Sequence, residues 1–144
     1  MDRPALQKCD ADDWCGSADV RWEKNSTKVA GELLAGTANL IGGTSWFWVR
    51  PDIAGEVDVL VVDEAGQFSL ANAVAVARGA KSLVLLGDPQ QLPSPTQVVH
   101  PGDSGVSALE HLLEGRSTIP ADRGVFLDRT YRMHPALTEF VSHL

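Results

Sequence analysis

The chain has 144 residues, 44% of them hydrophobic, which fits one globular domain and is too short for two independent cores. Its 12 Lys and Arg against 19 Asp and Glu give a net charge of −7, which excludes nucleic-acid binding driven by the charge of the whole surface. The sequence has neither an apolar run long enough to span a bilayer nor a basic-then-apolar leader. We therefore expect a cytoplasmic protein with no membrane contact.

The first part of the chain is polar, and a helical pattern of apolar residues begins only at residue 26. Residues 1–25 are polar and lack periodicity, so they predict a disordered lead or loop. Residues 26–34 predict a helix capped by Ser26 or Thr27, with Gly36 just past its end. The run ANLIGGT, residues 38–44, predicts a short strand that feeds a loop.

That loop carries three consecutive aromatic residues, Trp46, Phe47 and Trp48. Because the loop directly follows a strand, we expect these rings to pack against the sheet. Stacking on nucleic-acid bases, as single-strand binders do, is the alternative.

Two strands with a helix between them follow. Residues 57–62 are an unbroken, mostly β-branched run, typical of a strand buried on both faces of a parallel sheet. An Ala/Val-rich helix should run from Ser69 or Leu70 to Arg78, and residues 82–86 predict the next strand.

The rest of the chain predicts a Pro-rich loop over residues 93–102 and a helix capped by Asp103 or Ser104. A third apolar run covers residues 124–127, and a last helix should cover residues 135–143. Strands and helices therefore alternate. This pattern predicts an α/β fold with a mainly parallel sheet and flanking helices.

Polar residues follow each predicted strand of this sheet. Thr44 comes after the first strand, Asp63 and Glu64 after the second, and residues 88–91 after the third. In parallel sheets the chemistry lies just past the carboxyl ends of the strands, so we expect these residues to share one edge.

The residue types at that edge suit nucleotide chemistry. One of the paired carboxylates could coordinate Mg²⁺ while the other orients or deprotonates a water, although an acidic turn open to solvent would look the same. Gln67 could place an amide near the same phosphates. Arg132, just before the last helix, could neutralise transition-state charge or form a surface ion pair.

Three ordered motifs, DEAGQ (63–67), GDPQQLP (87–93) and TYRMHP (130–135), resemble motifs II, III and IV of superfamily 1 helicases. The resemblance is to the 1B branch that contains the nonsense-mediated-decay helicase and helicase–nucleases. Residues 42–76, GGTSWFWVRPDIAGEVDVLVVDEAGQFSLANAVAV, are further similar to bacterial proteins that fuse a RecB-like nuclease to a helicase.

For ATP, the resemblance implies that Asp63 coordinates Mg²⁺ and that Glu64 is the catalytic base. Gln67 and Gln91 would sense the γ-phosphate and couple it to domain closure, and Arg132 would contact the γ-phosphate. ATP and Mg²⁺ are thus the cofactors that the resemblance implies.

For nucleic acid, the resemblance implies that Thr44 lies in a motif touching the strand and that Tyr131 positions the arginine motif or contacts the strand. The expected partners are single-stranded nucleic acid, with DNA favoured over RNA, and the remainder of a helicase chain.

The resemblance also divides the chain. Residues 26–123 would be the carboxyl half of a RecA-like (P-loop NTPase) motor domain, and residues 124–144 would be motif IV and the entry to a second one. The first strands and the phosphate-binding loop (Walker A), G-x-x-x-x-G-K-[ST], are expected to be missing, because the sequence contains no Gly-Lys pair. The string GELLAGTA (31–38) has the glycine spacing without the Lys and overlaps a predicted helix.

We therefore expect a segment of an ATP-dependent helicase that is inactive as an isolated chain. A non-catalytic module that binds nucleic acid or a partner protein is the alternative. The missing Lys favours that alternative, whereas the joint presence of Asp63, Glu64, Gln91 and Arg132 favours the helicase.

Overall fold

A computed structural model describes residues 5–9, 16–89, 91 and 105–141, and these residues form two units, Met1–Leu112 and Leu113–Leu144. In chain order the helices and strands are β1 (Ala5–Lys8), β2 (Val20–Glu23), α1 (Ser26–Leu34), β3 (Leu40–Gly42), α2 (Ser45–Trp48), a 3₁₀ turn (Pro51–Ile53), β4 (Val57–Val62), α3 (Leu70–Ala77), β5 (Ala80–Leu85), α4 (Ala108–Leu113) and α5 (Pro135–Val141).

Helix α1 confirms the helix predicted over residues 26–34, but its cap differs from the expectation. The cap is Asn25, whose Oδ1 accepts hydrogen bonds from the backbone N–H groups of Thr27 at 2.9 Å and Lys28 at 3.2 Å. Asn provides this cap as well as Ser does, because its side-chain oxygen reaches the same orphan donors. Past the helix end, Gly36 adopts the expected left-handed conformation, with φ 63°.

Two strands lie in the segment where the sequence predicted a lead without regular structure. Strand β1 pairs in parallel with β2 on one side and with β3 on the other, giving the order β2-β1-β3. Leu6 of β1 is almost fully buried. Strands of four residues are too short to show periodicity, and these form because neighbouring strands supply their hydrogen bonds.

The second sheet contains β4 and β5, paired in parallel from Val57 opposite Ala80 to Val62 opposite Leu85. Helix α3 joins them and confirms the helix predicted from Ser69 or Leu70 to Arg78; the Oγ of its cap, Ser69, accepts the N–H of Asn72 at 3.2 Å. Strand β5 starts two residues earlier than the sequence predicted. The predicted α/β class is confirmed, with parallel strands flanked by helices, as in part of a RecA-like P-loop NTPase domain.

The prediction that β4 is buried on both faces is wrong. Leu60 is 4% exposed, whereas Val59 and Val61 are each 53% exposed. Alternate residues of a strand point to opposite faces, so one face of this sheet packs on the core and the other lies open to solvent. Val84 of β5 continues the open face at 40% exposure.

One hydrophobic cluster joins the two sheets of the first unit to helices α1, α2 and α3. Its buried members are Leu6, Val29, Ala30, Ala38, Phe47, Trp48, Ile53, Leu60 and Val76. Burial of these side chains is the main stabilising term, because each large apolar side chain removed from water contributes about 1.5–3 kcal/mol.

The last elements agree in part with their predictions. Asp103 and Ser104, predicted as helix caps, and the predicted loop over residues 93–102 lie outside the described residues. Helix α4 begins later, where the Ser107 hydroxyl accepts the N–H of Glu110 at 3.0 Å. The apolar run 124–127 forms no regular element, and α5 confirms the last predicted helix over Pro135–Val141.

Across the part of the chain that the structure describes, no helix is both long enough and apolar enough to cross a bilayer.

The open valine face predicts that the chain self-associates. Replacing Val59 and Val61 together by Thr, which keeps the β-branched shape, should raise the dissociation constant of the associated form about tenfold, because two buried contacts lose apolar area. Val74→Thr is the matched control, since Val74 is a 64% exposed valine on α3 rather than on the sheet. Sedimentation velocity over a concentration series measures this, and a wild-type chain that stays monomeric throughout would contradict the prediction.

Candidate functional site

Two turns meet at the carboxyl ends of β4 and β5. The backbone N–H of Leu86 donates to the carbonyl of Val62 at 2.9 Å, and the N–H of Ala65 donates to the carbonyl of Leu86 at 2.8 Å. The ladder between the strands therefore continues into the turn that carries Asp63 and Glu64.

The contact between these turns leaves no room for side chains at two glycines. A Cβ on Gly66 would overlap the carbonyl oxygen of Asp88, and a Cβ on Gly87 would lie 2.8 Å from the backbone N of Ala65. Backbone therefore packs directly on backbone, which only glycine permits.

The paired carboxylates are exposed, and the turn itself orients them. Asp63 Oδ1 accepts the backbone N–H of Glu64 at 3.0 Å. Glu64 has φ 54°, a left-handed conformation that costs a non-glycine residue about 1–3 kcal/mol. On either side of this residue the backbone is bonded, since the N–H of Ala65 donates to the Leu86 carbonyl at 2.8 Å and the Glu64 carbonyl accepts the N–H of Gln67 at 2.9 Å.

The two glutamines predicted to sense phosphate are brought together, although 24 residues separate them in sequence. Gln67 Nε2 donates to Gln91 Oε1 at 3.4 Å. Each is fixed by its own turn, because the N–H of Gln67 donates to the Glu64 carbonyl at 2.9 Å and the N–H of Gln91 donates to the Asp88 carbonyl at 3.4 Å. Both side chains are exposed at the same edge of the sheet as the carboxylates.

A cleft of about 760 Å³ extends between β3 and β4 and reaches this edge. Gly43 and Ser45, which follow β3, line it together with Asp63, which follows β4. Thr44 lies between the first two, is exposed, and precedes α2 without making a side-chain capping bond. The turn that carries Thr44 thus shares a cleft with the carboxylate turn.

Arg132 and Tyr131 belong to the second unit, Leu113–Leu144. Both are exposed, and the Thr130 Oγ1 accepts the backbone N–H of Arg132 at 3.3 Å. Tyr131 lines a cleft of about 510 Å³ within that unit. The contacts predicted for Arg132 and Tyr131 therefore remain predictions.

The described residues fit a hydrated Mg²⁺ better than a metal enclosed by protein. They include no group of three or more His, Cys, Asp or Glu side chains that could hold a metal ion. Mg²⁺ keeps several waters and is usually bound through one or two carboxylates plus substrate phosphates, which an exposed, oriented Asp63 suits. Gly31 lies inside α1, which agrees with rejecting residues 31–38 as a phosphate-binding loop.

Gly66 and Gly87 have no role predicted from the sequence, although the geometry of the site depends on both. A usable signal was present, since each glycine stands in a short turn just after a hydrophobic strand. The packing of these two turns on each other is a tertiary contact, and local sequence patterns do not predict it.

Comparison with known proteins identifies the family. Residues 20–98, more than half of the chain, match the family model described as AAA domain. The chain therefore belongs to the AAA domain family. It is also 33% identical over 116 residues to a probable helicase of Dictyostelium discoideum, an alignment that covers 77% of this chain and 11% of that protein. No solved structure matches the chain.

The helicase-like resemblance is thus supported at the level of the family. Its finer assignment to one branch of superfamily 1 stays a proposal. The chain spans about a tenth of the curated relative's length. The activity of the whole protein to which this chain would belong is therefore also a proposal.

The close contact of the two turns predicts unequal effects for two glycine substitutions. Gly66→Ala should lower the free energy of unfolding by about 2–4 kcal/mol, because the new methyl group overlaps the Asp88 carbonyl. Gly31→Ala, inside α1 with nothing within 4 Å of the added carbon, should raise it by about 0.5–1 kcal/mol. Urea unfolding followed by circular dichroism measures both, and equal effects would show that the turns do not pack as described.

Proposed function

We propose that the chain is part of the motor of an ATP-dependent superfamily 1 helicase of the 1B branch, which couples ATP hydrolysis to movement on nucleic acid. The observation that carries the proposal is the meeting of two strand-end turns, one with the Asp63–Glu64 pair and one with Gln91 bonded to Gln67. The similarity to a probable helicase supports it.

In this proposal the carboxylates have separate roles. Asp63, oriented by the N–H of Glu64, would hold Mg²⁺. Glu64 accepts the proton of the attacking water or orients that water, for which it needs an exposed carboxylate beside the metal ligand. When bound there, Mg²⁺ would neutralise charge on the phosphates.

The polar side chains around this pair respond to the γ-phosphate. Gln67 and Gln91 are linked by their amides, so a phosphate oxygen that attracts one of them changes the contact of the other. We assign the contact with the γ-phosphate to Arg132 by its motif, because a guanidinium can bind phosphate through two parallel hydrogen bonds.

For the nucleic acid, we propose contacts from Thr44 and Tyr131, both exposed. The favoured ligand is single-stranded DNA rather than RNA, because the sequence resembles nuclease–helicase fusion proteins. Residues 26–123 would then belong to the first motor domain and residues 124–144 to motif IV and the entry to the second, with the remainder of a helicase as the partner.

The experiment that tests this function uses the complete product of the gene. Glu64→Gln should lower kcat for DNA-stimulated ATP hydrolysis about 100-fold or more while KM for ATP changes little, because a general base is lost and binding groups are kept. Glu56→Gln is the matched control, since Glu56 is also an exposed carboxylate of the first unit but precedes β4. Full activity of the Glu64→Gln variant would refute the assigned base.

The isolated chain should neither hydrolyse ATP nor bind it tightly. It contains no Gly-Lys pair, and the missing backbone cradle and Lys provide much of the electrostatic stabilisation in phosphoryl transfer. Thermal unfolding with and without millimolar Mg-ATP checks this, because a ligand at 100 times its Kd would add about 2.7 kcal/mol of stability. We expect no shift in the midpoint.

A non-catalytic binding module is the second candidate, and the absence of a Gly-Lys pair favours it. A midpoint shift with Mg-ATP that disappears in Asp63→Ala would support this candidate, because the chain would then bind nucleotide without the usual loop.

A further inference from the structure

The turn that carries the paired carboxylates is buried at its centre and exposed on both sides. Ala65 is fully buried and Gly66 is buried, whereas Glu64 before them and Gln67 after them are exposed. The positions of the exposed polar side chains therefore depend on a short piece of covered backbone. A residue that packs on this backbone can set the positions of those side chains.

Leu109 packs at the point where the turns after β4 and β5 meet. A Cβ built on Gly87 would lie 3.2 Å from the Leu109 Cδ1. The same position lies 2.8 Å from the backbone N of Ala65 and 3.0 Å from that of Gly66. The methyl group of Leu109 therefore adjoins the backbone contact between the two turns. An apolar group there excludes water from the contact and makes its opening less frequent.

The segment that carries Leu109 is fixed to the chain just past the carboxylate turn. An antiparallel bridge pairs Ser107 with Ser69, which is two residues past Gln67. Two backbone hydrogen bonds of 2.9 Å accompany this bridge, one in each direction. Because backbone groups make these bonds, they persist when the Leu109 side chain is shortened. The contact of that side chain with the turns can therefore be removed by itself.

We propose that Leu109 is a positioning residue that acts on ATP hydrolysis through Gln91. Leu109 keeps Gly87 against the turn after β4, and the next residue, Asp88, accepts the N–H of Gln91 at 3.4 Å. Gln91 in turn accepts the amide of Gln67. This inference rests on the proposed function, which gives the two glutamines their contact with the γ-phosphate. It adds to that function a residue that lies outside the three motifs.

A purely structural role is the rival explanation for Leu109. Shortening a half-buried leucine leaves a cavity and lowers stability wherever the leucine lies. A positioning role makes two further demands. The turn after β4 should loosen while distant parts of the chain do not, and the effect on catalysis should disappear once Gln91 can no longer act.

The first measurement uses the 144-residue chain and needs no activity. In Leu109→Ala, hydrogen exchange of the Ala65 amide, followed by NMR, should be about tenfold faster, because the contact between the turns opens more often. The amide of Val29 in α1 is the internal control and should exchange at the wild-type rate. Unchanged exchange at Ala65, or equal acceleration at both amides, would overturn the inference.

The second measurement uses DNA-stimulated ATP hydrolysis by the complete product of the gene. Leu109→Ala should lower kcat about 10- to 100-fold and leave KM for ATP within about twofold, because a group at the γ-phosphate is misplaced while binding groups are kept. Leu109→Met, which keeps the apolar bulk, should restore most of kcat. Leu113→Ala is the matched control, since Leu113 is a 6% exposed leucine one turn further along α4. It should lower stability and leave kcat unchanged.

A double-mutant cycle shows whether Leu109 acts through Gln91. In a Gln91→Ala background, Leu109→Ala should cause no further fall in kcat, and a fall as large as in the wild type would overturn the inference. Glu64→Gln separates this inference from the function on which it rests. Full activity of Glu64→Gln would refute the proposed function and this inference with it. Loss of activity in Glu64→Gln together with full activity in Leu109→Ala would overturn the positioning role alone.

Discussion

The site depends on one close contact, that of the backbone after β4 with the backbone after β5. The N–H of Ala65 reaches the Leu86 carbonyl, and Gly66 packs on the carbonyl of Asp88. Beside this contact Glu64 adopts a left-handed conformation, and Gln67 lies within hydrogen-bond reach of Gln91. Because backbone meets backbone, the positions of these polar side chains follow from the ladder rather than from side-chain packing.

The polar side chains at the two ends of the second sheet differ in what they contact. Near the amino ends of the strands, the Lys81 ammonium donates to Asp58 at 2.8 Å and lowers the pKa of that carboxyl. This exposed ion pair contributes little stability but adds a contact between the strands. At the carboxyl ends, by contrast, Asp63 and Glu64 are exposed and available for a ligand. All carboxyl ends of parallel strands lie at one edge of the sheet. The side chains available to a ligand therefore lie at that edge, and the ion pair lies at the other.

Two exposed apolar features of the first unit differ in kind. Val59, Val61 and Val84 form a continuous sheet face, which is the geometry of a surface that another protein layer covers. Trp46 is a single ring among small and polar residues and lies on a helix anchored by its neighbours. The first is a continuous apolar surface, whereas the second is one exposed ring beside two buried aromatic neighbours.

The sequence by itself determined the elements whose causes are local. Helices α1 and α3, strand β4 and the order of the polar motifs follow from periodicity, capping residues and turn glycines. The roles of the predicted site residues remain proposals. Only the tertiary structure decided that residues 5–8 and 20–23 pair as strands, that Val59 and Val61 stay exposed, that Gln67 meets Gln91 and that Trp46 faces water. These outcomes depend on which distant segments pair and pack, and local spacing along the chain carries no information about that.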